Sequence, residues 1–378
     1  MTAALRGPMP RLTPLAESLP ATVPFVGPET QERRMGRPFR ARLGANESGF
    51  GPSPRAVAAM AAAARDAWMY GDPEMHDLRA ALAARHGVGP ETIIVGEGID
   101  GLLGNLVRLL VGPGDPVVTS AGAYPTFAYH VAGFGGALHA VPYAGDHEDP
   151  DALAAKAAAV DAKLVYLANP DNPMGTWHPA DRIAAMLDAL PDGTLLCLDE
   201  AYADLAPPEA LPPMGPADRR VIRMRTFSKA HGLAGLRVGY AIGHRDLIEA
   251  FGKVRNHFGV GRVAQAGALG ALSDDDWLQD VRARVEASRA AIARIASENG
   301  LAALPSATNF VALDTGRDGA FARALVAALA DRRVFVRMPG VAPLDRCIRI
   351  SCGTEANLEL LAEALPPALR VAEGRAGG

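Results

Sequence analysis

The stretch that decides the fold runs from Leu164 to Tyr202 and reads LVYLANPDNPMGTWHPADRIAAMLDALPDGTLLCLDEAY. It contains two short apolar runs, Leu164–Ala168 and Leu195–Leu198, with a helix-like apolar pattern between them at Asp181–Leu190. Continuous apolar runs are typical of strands that are covered on both faces, as in parallel sheets. The order strand, helix, strand therefore predicts two parallel strands joined by a helix.

The same alternation continues on both sides of this stretch. Helix-like patterns such as Ile99–Leu110 and Asp151–Val160 separate most of the remaining β-like runs, which are Thr92–Val95, Pro116–Thr119, Leu138–Val141, Val221–Arg225 and Val238–Ile242. This pattern predicts an α/β fold with a mainly parallel sheet of about seven strands sandwiched by helices.

The chain changes character beyond residue 260. Two helix-like stretches, Arg262–Leu272 and Asp276–Asn299, are followed by a series of strand, helix, strand, strand and helix at Phe310–Asp314, Asp318–Asp331, Val334–Arg337, Ile348–Ser351 and Glu355–Leu365. The series predicts a second, smaller α+β unit. We expect a Pro-rich N-terminal arm without periodicity over residues 1–35, a large domain over 36–260 and a small domain over 261–378. The N-terminal segment is expected to pack with the small domain as part of it.

Composition excludes several classes of protein. The chain has 378 residues and a formal net charge of −4, which offers no basic surface for nucleic acid. The longest uncharged stretch, Pro116–Gly145, is broken by prolines and glycines, so it predicts no membrane span. The N-terminal residues lack the apolar core of a signal peptide, and Cys197, Cys347 and Cys352 form neither a disulfide framework nor a metal-ligand pattern. We expect a cytoplasmic enzyme without a metal site.

A glycine-rich turn at Gly96–Gly101 spells G-x-G-x-x-G after a predicted strand. A dinucleotide site would also need an acidic residue at the end of the next strand, to bind the ribose. That strand, Pro116–Thr119, ends in Ser120-Ala121-Gly122 instead, which argues against NAD. The turn still precedes a helix N-terminus, which favours a phosphate-sized anion there.

Three polar segments directly follow predicted strands. They are Asn169–Gly175 (NPDNPMG), Asp199–Tyr202 (DEAY) and Thr226–Lys229 (TFSK), with Arg237 eight residues further on. Open α/β sheets bind ligands at the carboxyl ends of their strands, so we expect these segments to meet at one site. Lysine occurs only at positions 156, 163, 229 and 253, so chemistry that needs a side-chain amine has four candidates.

In combination the segments resemble the fold-type I pyridoxal-phosphate-dependent aminotransferases of class I/II, most closely the histidinol-phosphate aminotransferase-like branch. The resemblance runs from about Leu43 to about Leu365 and rests on the spaced set N-P-x-N-P-x-G, D-E-A-Y and S-K-x-x-x-L-A-G-L-R. It implies pyridoxal 5'-phosphate as cofactor. This cofactor needs an amine that holds it and a carboxylate that keeps its ring nitrogen protonated.

The resemblance implies a role for particular residues, both within these segments and outside them. Lys229 becomes the Schiff-base lysine and Asp199 the partner of the ring nitrogen. Tyr202 and Asn172 would form hydrogen bonds to the phenolic oxygen of the cofactor, and Phe127 would stack on its ring. The cofactor phosphate would be bound by Thr226, Ser228, Arg237 and the backbone amides of Gly98, Ile99 and Asp100. In a homodimer, Tyr70 of the other subunit would add a further phosphate contact. Ile99 and Gly101 depart from the usual G-S-D-E of the family, which removes a hydroxyl contact but leaves the amides.

The same resemblance implies an anion site for the substrate. Arg349 lies in an R-I-x-x-G-T pattern and Arg337 near the end of the preceding predicted strand. These arginines would bind a substrate carboxylate or a substrate phosphate, and Asn46 would lie near the substrate entrance.

We therefore expect a ping-pong aminotransferase that moves an amino group between a donor and a 2-oxo acid such as 2-oxoglutarate. The donor stays open between histidinol phosphate and an aromatic or other L-amino acid. A pyridoxal-phosphate-dependent decarboxylase or lyase acting on a phosphorylated amino acid is the main alternative. A non-catalytic cofactor-binding protein and an NAD-dependent oxidoreductase are remote ones.

Overall fold

The computed structural model describes residues 10–21, 26–213 and 215–376. The strands, in chain order, are β1 (Ala41–Arg42), β2 (Ile93–Gly96), β3 (Pro116–Ser120), β4 (Ala137–Val141), β5 (Leu164–Ala168), β6 (Leu195–Asp199), β7 (Val221–Thr226), β8 (Gly239–Gly243), β9 (Ala302–Ala303), β10 (Phe310–Asp314), β11 (Val334–Phe335) and β12 (Cys347–Ser351). The α-helices are α1 (Pro14–Ser18), α2 (Pro28–Met35), α3 (Pro54–Ala63), α4 (His76–His86), α5 (Gly98–Leu110), α6 (Pro125–Gly133), α7 (Pro150–Val160), α8 (Ala180–Ala189), α9 (Arg245–Ala250), α10 (Arg262–Leu272), α11 (Asp275–Glu298), α12 (Gly319–Asp331) and α13 (Glu355–Ala376).

A large sheet forms the centre of the molecule. Within the described ranges it has seven strands in the order β2-β8-β7-β6-β5-β3-β4. The pairs from β7 to β4 are parallel, and β8 runs antiparallel to both of its neighbours. The predicted mainly parallel α/β sheet is confirmed.

Helices cover both faces of this sheet. Successive residues of a strand point to opposite faces, and in β5 Leu164 and Tyr166 belong to one apolar cluster while Val165 and Leu167 belong to another. The first cluster is completed by α5 and α6, and the second by α7 and α8. Because both faces are buried, β5 and β6 read as unbroken apolar runs, as the sequence predicted.

The C-terminal part has its own core. The strands β9, β10 and β12 form a small antiparallel sheet that packs with α11, α12 and α13. β1 pairs in parallel with β11, with Ala41 opposite Val334, so the N-terminal segment joins this part. Helix α10 instead contributes Ala264 and Ala268 to the core beside β2. Helix α10 therefore packs with the large sheet although it follows residue 260.

Among the differences from the sequence-based prediction, two concern the N-terminal arm and helix α13. The expected arm contains the short helices α1 and α2, each of which begins at a proline, a residue that suits the first helical turn. Helix α13 was expected to end at Leu365, before Pro366-Pro367, but it continues to Ala376. Ala368 and Ala372 extend its apolar face into the core, and this packing offsets the disruption that prolines cause inside helices.

Candidate active site

The three polar segments meet at one edge of the large sheet, as the sequence predicted. β5, β6 and β7 are neighbours, and their register places Ala168 opposite Asp199 and Asp199 opposite Met224. A cavity of about 250 Å³ opens at this edge. Its lining includes many of the predicted cofactor residues: Ile99, Asp100, Asn172, Asp199, Tyr202, Thr226, Ser228, Lys229 and Arg237.

Lys229 follows β7 and carries its amine into this cavity. Its Nζ donates a hydrogen bond of 3.3 Å to the backbone oxygen of Asn46 and lies 5.7 Å from the centroid of the Tyr202 ring. Enclosure by protein, followed by the positive charges of Arg349 and Arg237, lowers the pKa of Lys229 to about 8. About a tenth of the amine is therefore neutral, and hence nucleophilic, at pH 7, far more than for an ordinary lysine.

Asp199 is the last residue of β6 and is buried. Its Oδ1 accepts a hydrogen bond of 2.9 Å from the Ala201 amide, and its Oδ2 accepts one of 2.7 Å from the Tyr166 hydroxyl. Burial raises the pKa of Asp199, while these two donors and the charge of Lys229 oppose that change. The arrangement presents a hydrogen-bonded carboxylate to the cavity.

One end of the cavity is built to receive an anion. Gly98 opens helix α5 with a φ of +73°, and a Cβ at this position would lie 2.6 Å from Nη2 of Arg237. The positive φ favours glycine, and a larger residue would displace the guanidinium from the helix N-terminus. Nearby, Thr226 Oγ1 donates a hydrogen bond of 2.9 Å to Ser228 Oγ and accepts one of 3.1 Å from the Ser228 amide. Hydroxyls, a guanidinium and a helix N-terminus together suit a phosphate group.

The loop after β5 is held by a buried carboxyl group. Asp171 accepts hydrogen bonds of 2.9 Å from the Tyr143 hydroxyl and 3.0 Å from the Met174 amide, and burial raises the pKa of Asp171 to about 7. The neighbouring Asn172 lines the cavity, and its Oδ1 accepts a hydrogen bond from Arg349 Nη1. The aspartate therefore fixes the loop that carries Asn172.

A second cavity, of about 540 Å³, adjoins the first and shares Lys229 with it. Its lining includes the three predicted substrate residues, Arg337, Arg349 and Asn46. Burial lowers the pKa of Arg349 to about 10, and its Nε is buried without a hydrogen-bond partner among the described residues. A buried guanidinium nitrogen that lacks an acceptor favours binding of an anion.

Asn46 lies deeper than the sequence suggested. It is only 2% exposed, and its Nδ2 donates a hydrogen bond of 3.0 Å to the Tyr202 hydroxyl. Its backbone amide donates one of 2.9 Å to Ser351 Oγ, and its backbone oxygen accepts one of 3.0 Å from Asn309 Nδ2. Asn46 thus connects the N-terminal segment, the small sheet and the floor of the site.

The first cavity is lined by Tyr124 but not by Phe127. Phe127 is fully buried, and its ring stacks on that of Tyr166 with 4.6 Å between the ring centroids. Tyr124 lines both cavities. Both aromatic residues belong to the segment Tyr124-Pro125-Thr126-Phe127, where they are three positions apart, and the sequence analysis named only Phe127. Tyr166 was missed because it lies inside an apolar strand rather than in a motif.

Tyr70 lies on the surface, away from both cavities of its own chain. It is 78% exposed, and its ring lies 4.8 Å from that of Phe258, which is 50% exposed. Trp68, two residues earlier, is 82% exposed. Together these residues present aromatic surface to solvent.

The described parts of the chain contain neither a metal-binding cluster nor a membrane-spanning helix. No group of three or more His, Cys, Asp or Glu side chains there is placed to hold a metal ion. No helix of those same parts has the length and apolarity needed to cross a membrane.

Comparison with known proteins identifies the class. The family model described as aminotransferase class I and II matches residues 41–365, and the chain belongs to this family. The resemblance inferred from the motifs is thereby confirmed.

Particular relatives narrow the similarity. The chain is 36% identical to the histidinol-phosphate aminotransferase of Roseiflexus castenholzii over 94% of its own length and 97% of that protein. It is 56% identical, with a TM-score of 0.93, to the crystal structure of a histidinol-phosphate aminotransferase from Sinorhizobium meliloti in complex with pyridoxal-5'-phosphate, covering 95% of this chain and 98% of that one. Aspartate aminotransferase from Thermus thermophilus with maleate shares the fold at 23% identity and a TM-score of 0.79, over 96% and 100% of the two chains.

Proposed function

We propose that this chain is a pyridoxal-phosphate-dependent aminotransferase that transfers an amino group from a donor to a 2-oxo acid such as 2-oxoglutarate. The observation that carries the proposal is that the Lys229 amine and the Asp199 carboxylate line one cavity, with Arg237, Thr226 and Ser228 beside them. Of the possible donors, histidinol phosphate is the first to test, because the relatives carry that name.

The cavity fits the proposed cofactor at three points. It offers a partly neutral amine, a buried carboxylate for a ring nitrogen, and hydroxyl and guanidinium donors for a phosphate. The absence of a side chain at Gly98 leaves room for Arg237 at the phosphate end. When bound, the cofactor supplies an aldehyde that captures an amine and a protonated ring that accepts electrons.

Lys229 would hold the cofactor between turnovers and then act on the substrate. With an amino donor bound, its Nζ would take the proton from the substrate α-carbon as a base and would give a proton back as an acid. Its lowered pKa suits both tasks, because an efficient proton-transfer group titrates near the working pH. The product of the first half-reaction leaves before the second substrate enters, which is ping-pong order.

Tyr202 and Asn172 would orient the cofactor through its phenolic oxygen. Burial raises the pKa of Tyr202, so its hydroxyl keeps its proton and serves as a donor. Tyr124, as the cavity wall, would lie against the ring in the role first assigned to Phe127. Asn46 holds the Tyr202 hydroxyl and the Lys229 amine at the same time.

Arg349 and Arg337 would bind the acidic groups of the substrates. Arg349 lines the second cavity, and its Nε has no hydrogen-bond partner among the described residues. Arg337 donates a hydrogen bond of 3.1 Å to the backbone oxygen of Val26 and lines the same cavity. A guanidinium binds a carboxylate and a phosphate equally well, so the arginines by themselves leave the donor open.

We also propose that the enzyme is a homodimer in which Tyr70 contributes to the phosphate site of the partner. Tyr70 lies outside both cavities of its own chain, and Trp68 and Phe258 extend the exposed aromatic surface around it. Exposed clusters of large apolar side chains are typical of interfaces between proteins.

The proposal is tested on the purified protein with its cofactor. Wild-type protein is expected to be yellow and to bleach when histidinol phosphate is added, whereas Lys229→Ala is expected to fold but not to turn over. A panel of donors and acceptors, compared by kcat/KM, then ranks histidinol phosphate against aromatic and other amino acids. Full activity in Lys229→Ala would refute the proposal, and carbon dioxide release without oxo-acid formation would indicate the decarboxylase instead.

A further inference from the structure

A buried hydroxyl beside Asp199 has no role in the function proposed above. It belongs to Tyr166 in β5, which is fully buried and lies three residues before the N-P-x-N-P-x-G segment. We propose that Tyr166 is a positioning residue that aims the Asp199 carboxylate at the cofactor ring nitrogen and keeps it ionised. This inference rests on the proposed function, because it needs a ring nitrogen for Asp199 to meet.

The sheet brings the two groups together. β5 and β6 are parallel neighbours, with Tyr166 opposite Cys197 and Ala168 opposite Asp199. Residues two apart on a strand share a face, so Tyr166 and Asp199 point to the same side of the sheet. The Tyr166 hydroxyl donates a hydrogen bond of 2.7 Å to Asp199 Oδ2, and both residues line the first cavity.

The tyrosine ring is fixed in this orientation. Phe127 stacks on it with 4.6 Å between the ring centroids and 19° between the planes, and both rings are fully buried. The Ala201 amide binds the other oxygen, Oδ1, at 2.9 Å. Each carboxylate oxygen can accept two hydrogen bonds, so both retain acceptor capacity while the carboxylate is held from two sides.

The hydroxyl also acts on the charge of Asp199. Burial raises the pKa of Asp199, and the hydrogen bond from Tyr166 is the foremost effect that lowers it again. Burial raises the pKa of Tyr166 itself, so this residue remains a protonated donor. Without the hydroxyl, Asp199 would take up a proton more readily and lose its attraction for a protonated ring nitrogen.

The test substitutes Tyr166→Phe, which removes one hydroxyl and keeps the stacked ring. Tyr240→Phe is the matched control, because Tyr240 is also buried in the large sheet, on β8, and its hydroxyl lies 2.9 Å from His86 Nε2 rather than near Asp199. Both variants are compared with wild type for the dissociation constant of pyridoxal phosphate, for the pH titration of the bound-cofactor absorbance, and for kcat and KM.

Tyr166→Phe is expected to raise the cofactor dissociation constant about tenfold, because hydrogen bonds to charged groups are among the stronger ones. The pH midpoint of the bound-cofactor absorbance is expected to differ from that of wild type. The kcat is expected to fall while KM stays nearly unchanged. Tyr240→Phe is expected to match wild type in all three. In the Asp199→Asn background, Tyr166→Phe is expected to add little, because the charged acceptor is already gone.

Two results would overturn the assignment while leaving the proposed function intact. One is a Tyr166→Phe protein with wild-type affinity and titration, and the other is an equal loss in Tyr166→Phe and Tyr240→Phe, which would indicate a general loosening of the sheet. A wild-type protein that binds no pyridoxal phosphate would overturn the proposed function and this inference together.

Discussion

The amine of Lys229 lies among the positive charges of Arg349 and Arg237 and the negative charge of Asp199. Enclosure and the two guanidinium groups outweigh the carboxylate, so the pKa of Lys229 is lowered from 10.5 to about 8. In the protein without cofactor, this places a poorly solvated ammonium in the site at neutral pH. Enclosing this charge costs stability. The same loss of hydration lowers the pKa of Lys229 and so increases the neutral, nucleophilic fraction of the amine.

Lys229→Met is therefore expected to make the cofactor-free protein more stable at pH 7. Below pH 8 the wild-type lysine is charged in both the folded and unfolded states, and the full cost of enclosing that charge is present. Between about pH 8 and 10.5 the unfolded state binds more protons than the folded state, so wild-type stability rises with pH and the advantage of the variant disappears. Urea unfolding at a series of pH values measures this difference.

The same substitution at exposed Lys253 is the matched control. Its effect on the free energy of unfolding is expected to be small at every pH. A Lys229→Met advantage that stayed constant from pH 7 to 10.5 would contradict the assigned shift.

Individual side chains show where the sequence was insufficient. Lys229, Asp199 and Arg237 could be selected because they belong to motifs at strand ends, and the structure brings them to one cavity. The choice between Phe127 and Tyr124 depends on how helix α6 begins, which the sequence pattern does not determine. The only sequence signal for Tyr166 is its lone hydroxyl in an otherwise apolar strand. A buried hydroxyl needs a hydrogen-bond partner, so its presence there indicates a buried polar contact.

At the level of elements, the start of helix α5 determines the anion end of the site. Gly98→Ala would combine an unfavourable positive φ with a Cβ 2.6 Å from Arg237 Nη2. We expect a loss of more than about 1 kcal/mol in the free energy of unfolding and about a tenfold rise in the cofactor dissociation constant as Arg237 is displaced. Denaturant unfolding and cofactor titration measure the two effects separately.

Gly87→Ala provides the control for backbone strain alone. Gly87 follows the last residue of helix α4 with a φ of +64°, and a Cβ added there would meet no atom within 4 Å. This variant is expected to lose stability without a change in cofactor affinity. Equal cofactor affinities in the two variants would show that Gly98 is not needed at the anion end.

Strand positions were largely predictable, and strand ends were less so. β5 and β10 match the prediction residue for residue, whereas β6 and β7 each run one residue further, so Asp199 and Thr226 are themselves paired in the sheet. The short strands β1 and β9 have two residues each, too few to show a period of two, and β11 keeps only Val334–Phe335 of the predicted Val334–Arg337. Helix α13 passes through two prolines because tertiary packing outweighs local preference.

At the scale of the whole molecule, the site is assembled from distant parts of the chain. Asn46, with a φ of +54°, binds Ser351, which is 305 residues away, and also Tyr202 and Lys229. No local pattern predicts these contacts, because they depend on how the N-terminal segment crosses the small sheet. The motif match could place Asn46 near the substrate but could not show that it is buried.

The proposed dimer predicts complementation between two inactive variants. Lys229→Ala and Tyr70→Ala, mixed in equal amounts and allowed to exchange subunits, would form hybrid dimers in which one of the two sites has both native residues. If Tyr70 serves the partner's site, about a quarter of all sites should recover activity, by simple combination in a two-fold dimer. Activity assays and sedimentation of the mixture measure this recovery, and a mixture that stays inactive although subunits exchange would contradict a shared site.

The central claim is that one particular amine holds the cofactor, and chemical trapping tests it most directly. Borohydride reduction of the protein with pyridoxal phosphate makes the bond between lysine and cofactor permanent, and peptide mass spectrometry then locates it. The chain offers lysines at 156, 163, 229 and 253. The account predicts the cofactor mass on the peptide that contains Lys229, and a label confined to any of the other three lysines would contradict it.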